Sequence, residues 1–99
     1  MRVGFTLHAV GRLRQIESYV SADSPENATR LIARIVRRAE SLGEQPLRGR
    51  KVSEYERDDV REVTEPPYRI IYLATSEAVL ILTIMHQRQL LPPDLPVRA

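Results

Sequence analysis

Three arginines and one histidine in the second half of the chain could bind an anion or act on one. Arg61 and Arg69 alternate with apolar residues, and His86 and Arg88 directly follow an apolar run at residues 78–85. An imidazole beside guanidinium groups could transfer a proton and stabilise a negatively charged phosphate. The residue types therefore raise two alternatives for this cluster, cleavage of a phosphodiester or binding alone.

Each of these side chains also has a structural interpretation. A histidine that ends an apolar strand is more often a hydrogen-bonded structural residue than a catalyst, and this is the favoured interpretation of His86. Arg61 and Arg69 are expected on a solvated sheet face unless they converge with Arg88. His8, at the junction of the first strand and the first helix, is expected to be structural or to face solvent.

The composition limits the class of protein. The chain has 99 residues, 42% of them hydrophobic, with no tryptophan and one phenylalanine, so one domain with an aliphatic core is expected. The absence of cysteine excludes disulfides and thiolate-bound metals and favours the cytoplasm. No apolar run approaches the roughly 20 residues that span a bilayer, and no secretory signal is recognised. Because the chain has neither a phosphate-binding glycine loop nor metal-ligand spacing, no cofactor or metal is expected.

The charge pattern gives a weak signal for an anionic partner. Fifteen Lys and Arg oppose thirteen Asp and Glu, a formal net charge of +2, which is small for a nucleic-acid-binding protein. A row of arginines lies along the polar side of the second predicted helix, at Arg30, Arg34, Arg37 and Arg38. A solvated helix face is the default interpretation of such a row, and contact with an acidic partner segment is the functional alternative.

Hydrophobic periodicity predicts a strand followed by two helices. Residues 2–7 alternate as a half-buried strand, with Val3, Phe5 and Leu7 on one side. Helical spacing begins at residue 9, and Ser24-Pro25 provides an N-cap and first-turn proline for a second helix. Gly43 is expected to end that helix in the left-handed conformation. The two apolar stripes consist of Ala9, Leu13, Ile16 and Val20, and of Ala28, Leu31, Ile32, Ile35, Ala39 and Leu42.

The second half of the chain predicts a sheet. An irregular segment at residues 45–59, with a short extended piece around Lys51-Val52, precedes three strands. The strands are predicted at residues 60–64, 68–73 and 78–85. The last is apolar on both faces and is expected inside the sheet, under the helical hairpin. The prediction is one α+β domain over residues 1–99, with an N-terminal strand, an antiparallel helical hairpin and a three-stranded antiparallel meander forming one sheet packed on the helices; residues 90–99 are a proline-rich tail.

Four short features follow one another along this pattern. They are Pro46 with Gly49, Val-Arg-Glu at residues 60–62, Tyr-Arg-Ile-Ile-Tyr at residues 68–72, and His-Gln-Arg at residues 86–88. In this order they resemble the RelE/ParE superfamily of bacterial toxins from type II toxin–antitoxin modules. The resemblance covers about residues 2–90, and it rests on the run of motifs rather than on any one of them.

The resemblance implies one of two activities. RelE-like toxins cleave mRNA at the ribosome, whereas ParE-like toxins inhibit DNA gyrase by binding it. Arg69 and Arg88 match two arginines of the RelE-like site. Its paired lysines, however, correspond to Val60 and Glu62 here, and residues 89–99 lack its tyrosine and any histidine. The ParE-like branch is therefore favoured, with no catalytic residue; the alternative is a ribosome-dependent endoribonuclease that uses Arg69, His86 and Arg88.

The resemblance also implies partners. A ParE-like toxin is neutralised by an antitoxin whose disordered segment folds on it as a helix and a strand. The arginines of the second helix are the expected antitoxin contact, in an assembly that could hold two toxins and two antitoxins. DNA gyrase is the expected target and plasmid stabilisation the expected role. The expected functional surface is Arg61, Arg69, His86 and Arg88, without a membrane or direct nucleic-acid contact.

Overall fold

The computed structural model describes residues 1–91, which form a five-stranded sheet packed against two helices. The elements are β1 (Arg2–Phe5), α1 (Leu7–Ser21), α2 (Pro25–Glu40), β2 (Arg50–Lys51), β3 (Val60–Glu65), β4 (Tyr68–Ala74) and β5 (Ala78–His86), with a short 3₁₀ turn at Ser41–Gly43 after α2. The strand order is β1-β5-β4-β3-β2. β1 runs parallel to β5, and the other neighbours are antiparallel. The predicted α+β architecture is confirmed; residues 92–99 of the predicted tail lie outside the described residues.

The first helix begins two residues earlier than its apolar stripe predicts. The Thr6 hydroxyl accepts a hydrogen bond from the Ala9 amide and donates one to the Leu82 carbonyl, both at 3.0 Å. Thr6 is therefore the N-cap of α1, and its cap ties the helix start to β5. This ends β1 at Phe5, so the prediction that Leu7 continues the buried side of the strand is wrong: Leu7 is 90% exposed.

The second helix follows its sequence signals at the start and departs from them at the end. Ser24 caps the Asn27 amide and Pro25 is the first helical residue, as predicted. The predicted left-handed Gly43 is wrong, because none of the described residues has a positive φ. Gly43 instead lies in the 3₁₀ turn, where a Cβ atom would collide with the Met1 carbonyl oxygen. Close approach of two backbones, rather than an unusual φ, therefore calls for glycine there.

The sheet is buried on both faces. The helices cover one face through a cluster of Ala9, Ile16, Leu31, Ile35, Ala39, Leu42, Val63, Tyr68, Ile70, Tyr72, Val79, Ile81 and Ile84. The opposite face carries a second cluster of Val52, Val60, Ile71, Leu73, Leu82, Met85 and Leu91. β5 lies between β1 and β4 and contributes to both clusters, which confirms its predicted interior position. The helical hairpin, however, covers only one of its faces.

The loop before β2 is fastened to the sheet by a buried tyrosine. The Tyr72 hydroxyl donates to the Pro46 carbonyl at 2.7 Å and accepts from the Gly49 amide at 2.9 Å. Burial, the largest influence, raises the pKa of Tyr72. A Cβ atom on Gly49 would lie 2.6 Å from both the Glu62 carbonyl oxygen and the Tyr72 hydroxyl. At Gly49 the loop therefore lies so close to Glu62 of β3 and Tyr72 of β4 that only glycine fits.

The Gly49→Ala substitution is expected to lower the free energy of unfolding by about 1–3 kcal/mol, because the added methyl group must displace buried atoms. Gly11→Ala is the matched control: a Cβ there has no neighbour within 4 Å, and Gly11 lies inside α1. It should stabilise the protein by about 0.5–1 kcal/mol through helix propensity. Urea denaturation of both variants tests this; equal effects would contradict the close-packed loop.

Candidate functional site

Arg69 forms a buried ion-pair cluster with two carboxylates. Its Nε and Nη2 atoms donate to the two oxygens of Glu62, both at 2.9 Å, and Nη1 and Nη2 donate to the two oxygens of Glu54, both at 3.1 Å. These bonds occupy all but one of the N–H groups that a guanidinium offers. The side chains of Arg69 and Glu62 are only 11% and 2% exposed. The expectation of a solvated Arg69 is therefore wrong.

The charges of this cluster cancel. Arg50, which is largely exposed, approaches Glu62 at 3.5 Å, so two guanidinium groups face two carboxylates. Hydrogen bonding with Arg69 is the largest influence on Glu54 and lowers its pKa. Hydrogen bonding with Glu62, and to a smaller extent with Glu54, raises the pKa of Arg69 above its usual range. Both shifts favour the charged forms. A negatively charged ligand that approached this face would meet no excess of positive charge.

The structure separates Arg69 from His86. Tyr68 and His86 are opposite one another in the β4–β5 ladder and lie on the helical face, with their rings edge to face at 5.6 Å. Arg69, the next residue along β4, is paired with Met85, which belongs to the cluster on the other face. Side chains alternate between the faces of a strand. Arg69 and His86 are therefore on opposite sides of the sheet and do not form a single site.

Arg61 is occupied within the fold. Its Nη1 atom donates to the Gly49 carbonyl at 2.9 Å, and its Nε atom donates to the Asp58 carbonyl at 3.0 Å. Both bonds hold the loops that flank β2. Arg61 therefore supports the segment that Tyr72 also anchors, and it is not brought to Arg69, His86 or Arg88.

His86 and Arg88 do lie together, at the mouth of an open cavity between α1 and the end of β5. The cavity has a volume of about 570 Å³ and is lined by Arg12, Gln15, Ile16, Tyr19, Tyr68, His86, Arg88 and Gln89. The Arg88 amide donates to His86 Nδ1 at 3.1 Å, so the proton of the neutral ring lies on Nε2. This hydrogen bond fixes the imidazole in place, which supports the structural interpretation of His86.

Arg12 builds one wall of the same cavity, which we call the α1–β5 pocket. Its Nε atom donates to the Ile84 carbonyl at 3.0 Å, while Nη1 and Nη2 donate to Gln15 and Gln89 at 2.6 and 3.2 Å. Gln89 also accepts from the His86 amide at 2.8 Å. Arg12 and Gln89 thus hold the turn after β5 against α1.

A second basic surface lies on α2. A groove of about 410 Å³ is lined by Arg34, Arg37, Arg38, Ser41, Arg48 and Glu65. We call it the arginine groove. Glu65 is its only acid and is 3.7 Å from Arg34. Arg30, the remaining arginine of the predicted row, donates to Asn27 at 2.8 Å one turn away and does not line the groove.

His8 contributes to neither surface. It is exposed, and its Nε2 atom is 3.0 Å from the Thr83 hydroxyl. Among residues 1–91, no group of three or more histidine, aspartate or glutamate side chains is arranged to hold a metal ion. Within the same range, no helix has the length and apolar content to cross a membrane.

Comparison with known proteins supplies the family. The family model described as the ParE toxin of the type II toxin–antitoxin system parDE matches residues 3–91. The chain is a member of the ParE toxin family. It is 36% identical over 96 residues to the putative toxin Y4kP of Sinorhizobium fredii, covering 92% of this chain and 93% of that protein. It is also 36% identical over 90 residues to toxin RelE2 of Caulobacter vibrioides, covering 90% and 98%.

Solved structures of this toxin class share the fold. The chromosomal ParDE system from P. aeruginosa matches with a TM-score of 0.70 and 25% identity, over 87% of this chain and 95% of that chain. The RelBE2 toxin–antitoxin complex from Mycobacterium tuberculosis matches with a TM-score of 0.64 and 27% identity, over 86% and 88%. The ParE family member described here is thus a type II toxin of the RelE/ParE superfamily, as the sequence motifs indicate.

Sequence reasoning missed several residues of these sites. One partner of Arg69, Glu62, could have been found, because the turn at Pro66-Pro67 pairs Glu65 with Tyr68 and so puts Glu62 and Arg69 on one face as diagonal neighbours. Glu54 comes from an irregular loop and had no such signal. The contributions of Arg12 and Gln89 were equally hidden, because they join elements that are more than 70 residues apart.

Proposed function

We propose that this toxin acts in the ParE-like manner, by binding and inhibiting DNA gyrase, and that it does not cleave RNA. The observation that carries this proposal is the neutralisation of Arg69 by Glu62 and Glu54. Under the RelE-like alternative, this guanidinium would have to stabilise the strained phosphate. If Arg69 turned to a phosphate, the buried Glu62 would keep only the exposed Arg50, at 3.5 Å, as a counter-charge, which is unfavourable.

The position of His86, the proton-transfer candidate of the RelE-like alternative, supports the same choice. His86 lies on the other side of the sheet from Arg69, with its Nδ1 atom bound to the Arg88 amide. A general acid must lie within hydrogen-bond reach of the group that it protonates. Arg69, His86 and Arg88 therefore lack the mutual geometry of a phosphodiester-cleaving site, and binding without chemistry is the simpler function.

The proposed partner that neutralises the toxin is an acidic antitoxin segment bound at the arginine groove. Four guanidinium groups line this groove beside one carboxylate, so it is complementary to negative charge. Arg30, on the exposed side of α2, extends the basic surface beyond the groove. We place both proteins in the cytoplasm, where gyrase acts.

Two assays on the purified toxin test the choice of target. We expect inhibition of DNA supercoiling by gyrase, with mRNA left intact in a translating extract. The RelE-like alternative predicts the reverse, with ribosome-dependent cleavage that His86→Ala abolishes. Either mRNA cleavage by the wild-type toxin or unaffected supercoiling would contradict the proposal. A toxin that has no effect in either assay would be an inactive member of the family.

A further inference from the structure

The α1–β5 pocket has the composition of a recognition site. None of its eight lining residues is acidic, whereas two are arginines. Within residues 1–91, no ion pair joins Arg12 or Arg88 to a carboxylate. Arg12 instead donates to a backbone carbonyl and to two side-chain amide oxygens. By contrast, both arginines of the cluster around Arg69 have carboxylate partners. The pocket therefore holds positive charge that the described part of the chain does not neutralise.

Apolar surface accompanies this charge. Ile16 and Tyr68 are buried at the pocket and belong to the core cluster, so they give it a rigid floor. Tyr19 lines the pocket and is 81% exposed, and Leu90, next to Gln89 in the chain, is 91% exposed. Exposed tyrosine and arginine around a pocket are typical of a protein-binding surface, where an anchor side chain is buried and a polar rim excludes water.

We infer that the α1–β5 pocket binds the target protein through a segment in which a carboxylate lies beside a large apolar side chain. The carboxylate would meet Arg88 and Arg12, and the apolar side chain would lie on Ile16 and Tyr68. A nucleic acid fits less well, because its phosphates would need a row of cations, and this pocket offers two arginines beside apolar surface and Tyr19. This inference rests on the proposed function, since it gives the target-binding site of the toxin.

Growth arrest by induced toxin is the first test, because it does not presuppose the target. Arg88→Glu reverses the exposed charge and Tyr19→Ser removes the exposed ring. We expect each variant to need at least tenfold more toxin for half-maximal arrest, while Arg88→Lys stays close to the wild type. The controls are Arg14→Glu, an exposed arginine of α1 outside the pocket, and Leu47→Ser, an exposed leucine of a distant loop. Both controls should arrest growth normally.

Two further measurements separate this inference from its alternatives. The affinity of Arg88→Glu for the antitoxin should equal that of the wild type, which also shows that the variant is folded. Loss of antitoxin affinity with normal growth arrest would assign the pocket to the antitoxin and overturn the inference, as would normal arrest by Arg88→Glu and Tyr19→Ser. In the supercoiling assay, the half-inhibitory concentrations of Arg88→Glu and Tyr19→Ser should each be at least tenfold higher than that of the wild-type toxin. If the wild-type toxin arrests growth without inhibiting gyrase, the proposed target is wrong, while loss of arrest in the pocket variants would still support the pocket.

Discussion

Replacing Arg69 with methionine is expected to lower the free energy of unfolding by up to about 3–5 kcal/mol, because the buried Glu62 carboxylate would lose both of its 2.9 Å hydrogen bonds to Arg69 and keep only the exposed Arg50 as a counter-charge. Glu62 is 2% exposed, and Arg50 approaches it at 3.5 Å from the solvent side, with its own side chain 76% exposed. Glu54 is about one-third exposed, so water can replace its contact with Arg69. The loss should therefore come mainly from Glu62, and urea denaturation at neutral pH measures it.

A double variant separates the role of Arg69 in folding from a role in activity. Arg69→Met with Glu62→Leu removes both buried charges and leaves apolar side chains of similar size, which should restore most of the lost stability. Under the gyrase-binding proposal, this double variant should still arrest growth. Under the ribonuclease alternative it should be folded and harmless, because Arg69 would be a catalytic cation.

A surface ion pair provides the control for this prediction. Glu65→Gln breaks the contact between Glu65 and Arg34. The Glu65 side chain is 25% exposed and the Arg34 side chain 49% exposed. The expected effect is below about 1 kcal/mol, since exposed pairs gain little in water. If Arg69→Met cost no more than Glu65→Gln, the cluster around Arg69 would not be the buried, coupled unit described above.

Reversing two charges in the arginine groove is expected to weaken antitoxin binding about hundredfold at low salt, which corresponds to roughly 2.7 kcal/mol. The variant is Arg37→Glu with Arg38→Glu, and both side chains line the groove without an ion pair among the described residues. The effect should shrink as salt is added, because exposed charges are screened over about 10 Å at 0.1 M ionic strength. Calorimetric titration with the antitoxin at two salt concentrations measures both quantities.

The same variant should remain toxic. Its growth arrest should match the wild type but should no longer be relieved when the antitoxin is co-expressed. Arg30→Glu, one turn outside the groove, should weaken binding less, and Arg14→Glu on α1 should leave it unchanged. An unaltered antitoxin affinity in the double variant would exclude the arginine groove as the binding surface.

The local signals in the sequence were sufficient for most of the elements. The apolar stripes of both helices, the Ser24 cap and the three later strands depend on side chains within a few residues of one another, so they can be seen without a structure. The start of α1 was missed because the Thr6 hydroxyl acts at a strand-to-helix junction, where the alternating pattern of the strand continues through Leu7.

The assignment of residues to sheet faces was less accessible. A register shift between Ile71 and Tyr72 in β4 leaves Leu82 without a Cα partner in the ladder. Ile81 and Ile84 consequently share the helical face, and Leu82 and Met85 share the other. Strict alternation would separate the members of each pair, because residues three apart point to opposite sides of a regular strand.

The sequence by itself determined the family, the α+β architecture and the residues that could carry charge to a partner. Only the tertiary structure decided which of those charges are free. Arg69 is neutralised by one carboxylate across the β3–β4 hairpin and another from an irregular loop. Arg88, by contrast, lines a pocket together with Arg12 and Tyr19 of α1, which is far away in sequence. Periodicity shows on which side of its own helix or strand a residue lies. Which charges pair depends instead on which elements pack against each other, and long-range packing decides this.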